Sequence, residues 1–243
     1  MEDLSIVIPC FNENHETIKK TVAELESLGA EVIVVDDGSS VPYPAAIKHG
    51  FNFGYGSALM TGIKNASRPL VLTADGDSQH SVSEIVKIYH AFKLIKDADM
   101  VIGVRRLKKE RLMRLLGRKF LNWTASVICT YWIPDLNSGL RIFKRNIVLG
   151  YFPILCRTFS FTTSLTISMM ADGYRTEFFP INVQERVYGK SHVNVLRDGI
   201  ITLYFILRNG FALRTRGIRL WLRSFRSTGN DGTTPSTNAP VQT

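Results

Sequence analysis

The fold is decided by residues 5–40, which read SIVIPCFNENHETIKKTVAELESLGAEVIVVDDGSS. The apolar run 5–9 is typical of a buried strand, and residues 15–28 repeat apolar side chains at helical spacing. Residues 31–35, EVIVV, predict a second strand, and two adjacent aspartates follow it. Because strand, helix and strand follow one another here, the segment predicts a right-handed parallel crossover in an α/β sheet.

A second acidic cluster follows the apolar run 69–73, which predicts another short buried strand. Directly after this run come Asp75, Gly76, Asp77 and Gln79. Open α/β sheets bind ligands at the carboxyl ends of their strands, and oxygen donors of this kind suit Mg²⁺ or Mn²⁺. The alternative is an ordinary surface turn, since an Asp-x-Asp pair alone is common.

A glycine-containing loop lies between the two acidic clusters, in NFGYGSALMTG, residues 52–62. Gly54 and Gly56 allow a tight turn and a close approach of the backbone to a ligand before a helix begins. Leu59 replaces the third glycine of a G-x-G-x-x-G fingerprint, so a dinucleotide site is weakly supported, and the sequence contains no P-loop. Residues 41–51 carry two prolines, which argue against a regular helix there.

These blocks and three further ones resemble the pattern of family-2 glycosyltransferases. The further blocks are Ile102-Gly103-Val104-Arg105, Asp135-Leu136-Asn137-Ser138-Gly139-Leu140-Arg141 and Arg186-Val187-Tyr188-Gly189-Lys190-Ser191. Within the family, the chain resembles the dolichyl-phosphate mannose synthase-like enzymes, which transfer a sugar from a nucleotide sugar to a polyprenyl phosphate. The resemblance implies an α/β fold of the GT-A (Rossmann-like) type, with a mostly parallel sheet flanked by helices. Relatives usually fit a helix and a strand where residues 41–51 stand.

The same resemblance implies roles for individual residues. The nucleotide-sugar donor would contact Pro9, Phe11, Glu13, Val35, Asp37, Asp75, Gly76 and Asp77. Mg²⁺ or Mn²⁺ would be held by Asp75, Asp77 and Gln79. The catalytic residues would be Asp77, Arg105, Arg118 and Arg186. The acceptor side would be formed by Asn122, Asp135, Ser138, Arg186, Lys190 and Ser191.

The residue types suit the implied chemistry. A divalent ion stabilises the charge that builds on a leaving diphosphate, and the planar fork of arginine suits a phosphate acceptor. A phosphate monoester is already largely ionised near neutral pH, so it needs positioning cations and no general base. The alternative for each arginine is a surface ion pair, and the alternative for Asp135 is a cap at a helix start.

The net charge of +9 is concentrated in two segments. Residues 105–119 contain eight Lys or Arg and one Glu, and residues 208–226 contain six Arg and no acid. The first segment continues into an apolar stripe at helical spacing, Leu112, Leu116, Phe120, Trp123, Val127 and Tyr131. A basic face beside an apolar face is typical of a helix in a membrane interface, and it favours that partner over nucleic acid. The alternative for 107–132 is a helix that packs on its own sheet with a solvated basic face, and partial core packing is expected there. Residues 216–226 also combine an arginine face with an apolar face, and the alternative for them is a dimer contact.

The chain is expected to divide into three parts. Residues 1–195 would form the GT-A domain, with 105–132 as its basic acceptor-side segment, and residues 196–226 would form amphipathic interface helices. Residues 227–243 are rich in Gly, Ser, Thr, Asn and Pro and are expected to form a disordered tail. No apolar run reaches the roughly 20 residues of a membrane span. We therefore expect a monotopic protein, peripheral to the cytoplasmic face of a membrane, whose apolar helices favour self-association into a homo-oligomer.

The sequence thus favours a metal-dependent, inverting transferase that moves a sugar from GDP-mannose or a UDP-hexose to a polyprenyl phosphate in cell-envelope glycan biosynthesis. The nearest alternative is a family-2 enzyme with a soluble or glycan acceptor, although residues 125–140 contain no Glu-Asp pair to supply a base. A sugar-1-phosphate nucleotidyltransferase would need a Gly-rich basic loop at 9–14. A non-catalytic membrane-docking module is disfavoured by the intact Asp75, Asp77 and Gln79.

Overall fold

The computed structural model describes residues 1–77, 79–106, 112–129, 131–183, 197 and 199–211. The strands are β1 (Leu4–Cys10), β2 (Glu31–Asp36), β3 (Ile47–Lys48), β4 (Leu70–Thr73), β5 (Met100–Arg106), β6 (Arg141–Lys144) and β7 (Thr176–Asn182). The helices are α1 (His15–Ser27), α2 (Tyr55–Asn65), α3 (Val82–Leu94), α4 (Leu112–Cys129), α5 (Arg145–Leu149) and α6 (Phe161–Ala171). Residues 199–211 are also helical.

The seven strands form one sheet in the order β3-β2-β1-β4-β6-β5-β7. All neighbouring pairs are parallel except those of β6, which runs antiparallel to both β4 and β5. The predicted mostly parallel α/β sheet is therefore confirmed. The reversed strand β6 lies in its middle and was not predicted.

The first crossover folds as the sequence predicts. The side chain of Asn14 accepts a hydrogen bond from the Thr17 N–H at 3.0 Å and caps α1, whose Ile18 and Leu25 are buried against the sheet. Gly29, with a φ of 80°, allows the chain to leave the helix and enter β2. Strands β1 and β2 then pair in parallel from Ser5–Glu31 onward.

Helices cover both faces of the sheet, so its central strands are apolar on each side. In β1, Ile6 and Ile8 point into a core shared with α1 and α3, while Val7 points into a core shared with α2 and α6. This alternation follows from the two-residue period of a strand. It explains why the residues of β1 from Ile6 to Cys10 are apolar at every position rather than at alternate ones.

The segment 41–51 contains no helix, as its two prolines predict. Its strand is the two-residue β3, which pairs in parallel with the end of β2. In the glycine loop that follows, a Cβ at Gly56 would lie 2.5 Å from the carbonyl oxygen of Cys156, so the missing side chain permits a close approach to this chain's own backbone. An approach of the loop to a ligand stays a prediction.

Helix α4 has one buried face and one exposed face. Its buried face joins a small core formed by Ala125, Ile133, Leu136, Ile167, Met170 and Ile206. Its opposite face, the outer stripe, consists of Leu116, Phe120, Trp123 and Val127, each between 53 % and 59 % exposed. The outer stripe therefore does not pack on the sheet, whereas the other face of the helix does pack in a core, as the alternative of partial core packing predicts.

The helical segment 199–211 extends the apolar surface. Ile206 is buried beside α4, whereas Ile200, Tyr204, Leu207 and Phe211 are exposed. Within the described residues, no helix combines the length and the apolar character that a bilayer crossing needs.

Candidate active site

One edge of the sheet gathers the predicted site residues. Strands β1, β2, β4 and β5 end at this edge, and β6 begins there because it runs in the opposite direction. Pro9 and Val35 lie opposite each other in register near the ends of β1 and β2. Asp75 and Asp77 follow β4, and Arg105 lies near the end of β5. The topology thus places predicted donor-side and acceptor-side residues on one edge.

Asp75 makes side-chain contacts with two neighbouring elements at this edge. The Tyr55 hydroxyl, in the first turn of α2, donates to Asp75 Oδ1 at 2.8 Å, and His80 Nε2 lies 3.5 Å from Oδ2. Gly139 packs so closely that an added Cβ would lie 2.5 Å from both carboxylate oxygens. The Asp75 side chain is still 28 % exposed, so a ligand at the edge can reach it.

The surroundings of Asp75 favour its anionic form. Burial raises the pKa of the carboxyl, but the hydrogen bond and charge of His80, the hydrogen bond from Tyr55 and the charge of Arg105 outweigh it and hold the pKa below its usual value. Burial, together with the charge of Asp75, raises the pKa of Tyr55 well above its usual value. At neutral pH the pair is therefore a carboxylate and a neutral hydroxyl donor.

Asp77 and Gln79 complete the predicted metal ligands. Asp77 is buried, and its Oδ1 accepts a hydrogen bond from the Gln79 backbone N–H at 3.1 Å. Two carboxylates and an amide oxygen are hard donors and fit Mg²⁺ or Mn²⁺. Among the described residues, no three His, Cys, Asp or Glu side chains form a metal-binding group.

Asp37, predicted to contact the nucleoside, also fixes the loop before α2. Its Oδ1 lies 2.7 Å from His49 Nδ1 and accepts from the Phe53 N–H at 3.0 Å, and its Oδ2 accepts from the Gly54 N–H at 2.8 Å. His49 Nε2 lies 2.9 Å from Thr61 Oγ1, which fixes the imidazole at both nitrogens. No role was predicted for His49, because neither the short length of the segment 41–51 nor its two prolines marks this residue.

The predicted acceptor side contains an ion pair between the partly exposed Arg105 and the buried Asp135. Arg105 donates from Nε to Asp135 Oδ2 at 2.8 Å and from Nη2 to Oδ1 at 2.9 Å. Burial raises the pKa of the Asp135 carboxyl, but the charge and hydrogen bonds of Arg105 and the charge of Arg118 outweigh it and lower the pKa. Asp135 lies in the loop between α4 and β6, so the helix-cap alternative is wrong.

Asn122 and Ser138 belong to the same acceptor-side region. Asn122 Nδ2 donates to the Pro134 carbonyl oxygen at 2.7 Å, and its Oδ1 accepts from the Leu136 N–H at 3.2 Å. The amide of Asn122 thus fastens the loop to α4. Ser138 is fully buried in that loop. A contact of either residue with an acceptor stays a prediction.

The remaining predicted residues divide into two groups. Phe11 and Glu13 are half-buried in the loop between β1 and α1. Three of the predicted residues lie outside the described part of the chain, namely Arg186, Lys190 and Ser191. The predicted interface helix 216–226 and the tail 227–243 lie outside it as well.

Arg141 is the first residue of β6, and no role was predicted for it from the sequence. It is fully buried, and its guanidinium donates to the Ser138 carbonyl oxygen at 2.6 Å from Nη2 and to the Thr162 carbonyl oxygen at 2.9 Å from Nη1. Burial lowers the pKa of Arg141 to about 10, although the charges of Asp135 and Asp75 favour the cation. It therefore remains a cation at neutral pH, inside the sheet and next to the acidic edge.

The family pattern of glycosyl transferase family 2 matches residues 5–160, which is more than half of the chain. The chain belongs to this family. The matched span contains the carboxylates after β2 and β4 and the ion pair of Arg105 with Asp135. The family predicted from the sequence is confirmed.

Two curated relatives show how far the similarity extends. An uncharacterized protein of Methanocaldococcus jannaschii is 32 % identical over 160 residues, which are 59 % of this chain and 65 % of that protein. The undecaprenyl-phosphate 4-deoxy-4-formamido-L-arabinose transferase of Salmonella paratyphi A is 27 % identical over 216 residues, covering 81 % of this chain. The chain spans only 64 % of the length of that transferase.

Solved structures support the fold. Glucosyl-3-phosphoglycerate synthase from Mycobacterium tuberculosis, crystallised with Mn²⁺, UDP-glucose and phosphoglyceric acid, aligns with a TM-score of 0.68. The alignment covers 86 % of this chain and 80 % of the synthase at 17 % identity. At this identity the likeness concerns the fold, and it confirms the predicted GT-A architecture.

Proposed function

We propose that this protein is a metal-dependent, inverting glycosyltransferase that moves a sugar from a nucleotide sugar to a polyprenyl phosphate at a membrane surface. The observation that carries the proposal is the position of the outer stripe of α4. The buried face of the same helix fastens the loop that carries Asp135, the partner of Arg105. One helix therefore carries the exposed apolar surface and fastens the loop whose Asp135 pairs with Arg105 of β5.

The donor would bind along the edge formed by β1, β2 and β4. Pro9 and Val35 would flank the nucleoside, and Asp37 would contact it from a loop that His49 already holds in place. A divalent ion bound by Asp75, Asp77 and Gln79 would supply Lewis-acid stabilisation of the leaving diphosphate. Tyr55 and His80 would keep the Asp75 carboxylate oriented and charged.

The acceptor phosphate would approach on the side of Arg105. Its oxygen forms the new bond to the anomeric carbon while the bond from that carbon to the β-phosphate oxygen breaks, and the electron pair leaves with the diphosphate. Both substrates are anions, so a positioned cation must offset their repulsion. The bidentate pair with Asp135 fixes the plane of the Arg105 guanidinium and thereby prepares it for this task.

The exposed apolar surface supports the proposal of a lipid acceptor. Phe120 and Trp123 of the outer stripe, with Tyr204 and Phe211 of the segment 199–211, expose large side chains that suit the boundary between headgroups and acyl chains. The relatives named undecaprenyl-phosphate transferases support the same acceptor class. The specific sugar and base remain to be identified by a donor panel.

An acceptor comparison tests this proposal. The double variant Phe120→Glu/Trp123→Glu should lose at least about tenfold in transfer to undecaprenyl phosphate in anionic vesicles, because two charges oppose insertion. It should keep its rate with a short, water-soluble isoprenyl phosphate. The matched control is Leu94→Glu, which changes an 81 % exposed apolar residue at the end of α3. Equal transfer by wild type and the double variant in vesicles would contradict the membrane part of the proposal.

A further inference from the structure

The buried cation Arg141 joins two parts of the molecule. Its Nη2 donates to the carbonyl oxygens of Leu136 and Ser138, both in the loop before β6. Its Nη1 donates to the carbonyl oxygen of Thr162 and to Thr166 Oγ1 in α6. Since every atom in this set is buried, Arg141 fastens the loop to the helix from inside the protein.

The partners of Arg141 are all neutral. Among the described residues, none of its hydrogen bonds ends on a carboxylate, and the acceptors are three backbone carbonyls and one hydroxyl. A guanidinium buried only for stability would be expected to pair directly with an acid, since an unpaired buried charge is costly. Here the nearby acids, Asp75 and Asp135, are left to other partners.

The loop that Arg141 holds carries two contacts of the candidate site. At its beginning, Asp135 forms the bidentate pair with Arg105. At its end, Gly139 lies against the carboxylate of Asp75, and its carbonyl oxygen accepts from Thr73 Oγ1 at 2.6 Å. A shift of the loop would therefore move the cation of the acceptor side relative to the carboxylate of the donor side.

We propose that Arg141 is a positioning residue that acts on the acceptor side of the site. It holds the loop 135–139 in place, so that Asp135 orients Arg105 toward the acceptor phosphate. This inference rests on the proposed function. The planar fork of arginine is required, because its several donors reach carbonyls in different directions at once. The single ammonium of a lysine would keep the charge but could not reach carbonyl oxygens on both the loop and the helix at once.

Hydrogen exchange tests the holding of the loop without any substrate. In Arg141→Lys, the amide of Leu136 and its loop neighbours should exchange at least about tenfold faster than in the wild type, because the loop opens locally. The amides of β2 should be unchanged. The matched control is Arg145→Lys, since Arg145 also donates to backbone carbonyls, those of Ile63 and Lys64, away from the loop. Arg141→Met should show the same local effect, more strongly.

Kinetics test the consequence for the reaction. Arg141→Lys should raise the KM for undecaprenyl phosphate about tenfold and lower kcat, while the KM for the nucleotide sugar stays within about twofold, because only the acceptor side is displaced. Three results would overturn the inference. They are unchanged hydrogen exchange in the loop, uniformly faster exchange across the sheet, and equal effects on the two KM values. Absence of transfer by the wild type would contradict the proposed function instead, and the exchange result would still decide whether Arg141 holds the loop.

Discussion

The strand ends after β2 and β4 carry similar acidic residues and use them differently. Asp37, with a side chain that is 5 % exposed, accepts hydrogen bonds from the backbone N–H groups of Phe53 and Gly54. Asp75, 28 % exposed, is contacted by the side chains of Tyr55 and His80. Asp37 is thus held by two backbone N–H groups and His49 and is almost closed off from solvent, whereas Asp75 is held by side chains and stays partly exposed at the edge. The difference predicts that Asp37 acts mainly through the loop it fixes, and that Asp75 acts on a ligand directly.

The largest effect in this comparison is expected from Asp75→Asn. Removing the charge while keeping the shape should lower turnover by about 10² to 10³ fold, because the site loses half of its carboxylate charge opposite the diphosphate. The urea midpoint should fall only modestly, since the amide oxygen can still accept from Tyr55 but the charge stabilised by His80 and Arg105 is lost. Asp97→Asn, at an exposed turn far from this edge, is the control and should leave turnover unchanged. Full activity of Asp75→Asn would contradict the prediction that Asp75 acts on a ligand directly.

The next effect concerns the pair of the buried Asp135 carboxylate with Arg105, whose side chain is 25 % exposed. Asp135→Asn should destabilise the protein by about 2 kcal/mol at pH 7, because the two hydrogen bonds from the Arg105 guanidinium lose their anionic acceptor. The folded pKa of Asp135 lies below its unfolded value, so the stabilisation is fully present above the unfolded pKa and is lost as the pH falls through the folded pKa. The difference in urea midpoint between wild type and variant should therefore shrink from pH 7 to pH 3. A difference that is constant or grows on acidification would contradict this assignment.

Asp37→Asn should have a smaller effect and a different character from Asp75→Asn. The amide keeps some acceptor capacity but loses the charge that faces two backbone N–H groups, which should cost about 2 kcal/mol of stability. Because the loop 49–54 frames the predicted nucleoside site, the donor KM should rise severalfold while acceptor KM is unchanged. Chemical denaturation and donor titration measure the two effects. A loss of turnover with unchanged stability would place Asp37 in the same role as Asp75.

His49→Gln should have the smallest effect, about 1 kcal/mol, because a glutamine amide can replace only part of the hydrogen bonding of the imidazole. The ring bridges Asp37 and Thr61, so the loss should be local to the loop before α2. Thr61→Val, which removes only the outer partner of the imidazole, should act in the same direction. If the effects of the two substitutions add in the double variant, the bridge is not a coupled unit.

Much of this arrangement could be predicted from local sequence. The crossover of residues 5–40 has its strands and helix within one or two residues of the predicted bounds, since apolar period and turn residues are local signals. The carboxylates after β2 and β4 followed from the same reasoning, because parallel strands end at one edge.

The parts that could not be predicted depend on long-range packing. The reversed strand β6 and the buried Arg141 are set by pairing between distant segments, and no local pattern signals either one. His49 was missed for the same reason, because its partner Asp37 lies 12 residues away across a loop. The outward direction of the stripe on α4 was left open, since an amphipathic pattern gives two faces without saying which is buried.

The central claim is glycosyl transfer to a polyprenyl phosphate by the acidic edge. In the most direct measurement, purified protein is incubated in detergent with undecaprenyl or dolichyl phosphate and with Mg²⁺ or Mn²⁺. One radiolabelled donor is added to each reaction, namely GDP-mannose, UDP-glucose, UDP-galactose or UDP-N-acetylglucosamine. The label that enters the organic phase is then counted. We expect label from one donor, and we expect EDTA and Asp77→Asn each to abolish it. Metal-dependent binding of a nucleotide sugar with no label in lipid from any donor would contradict the lipid acceptor and favour a soluble or glycan acceptor.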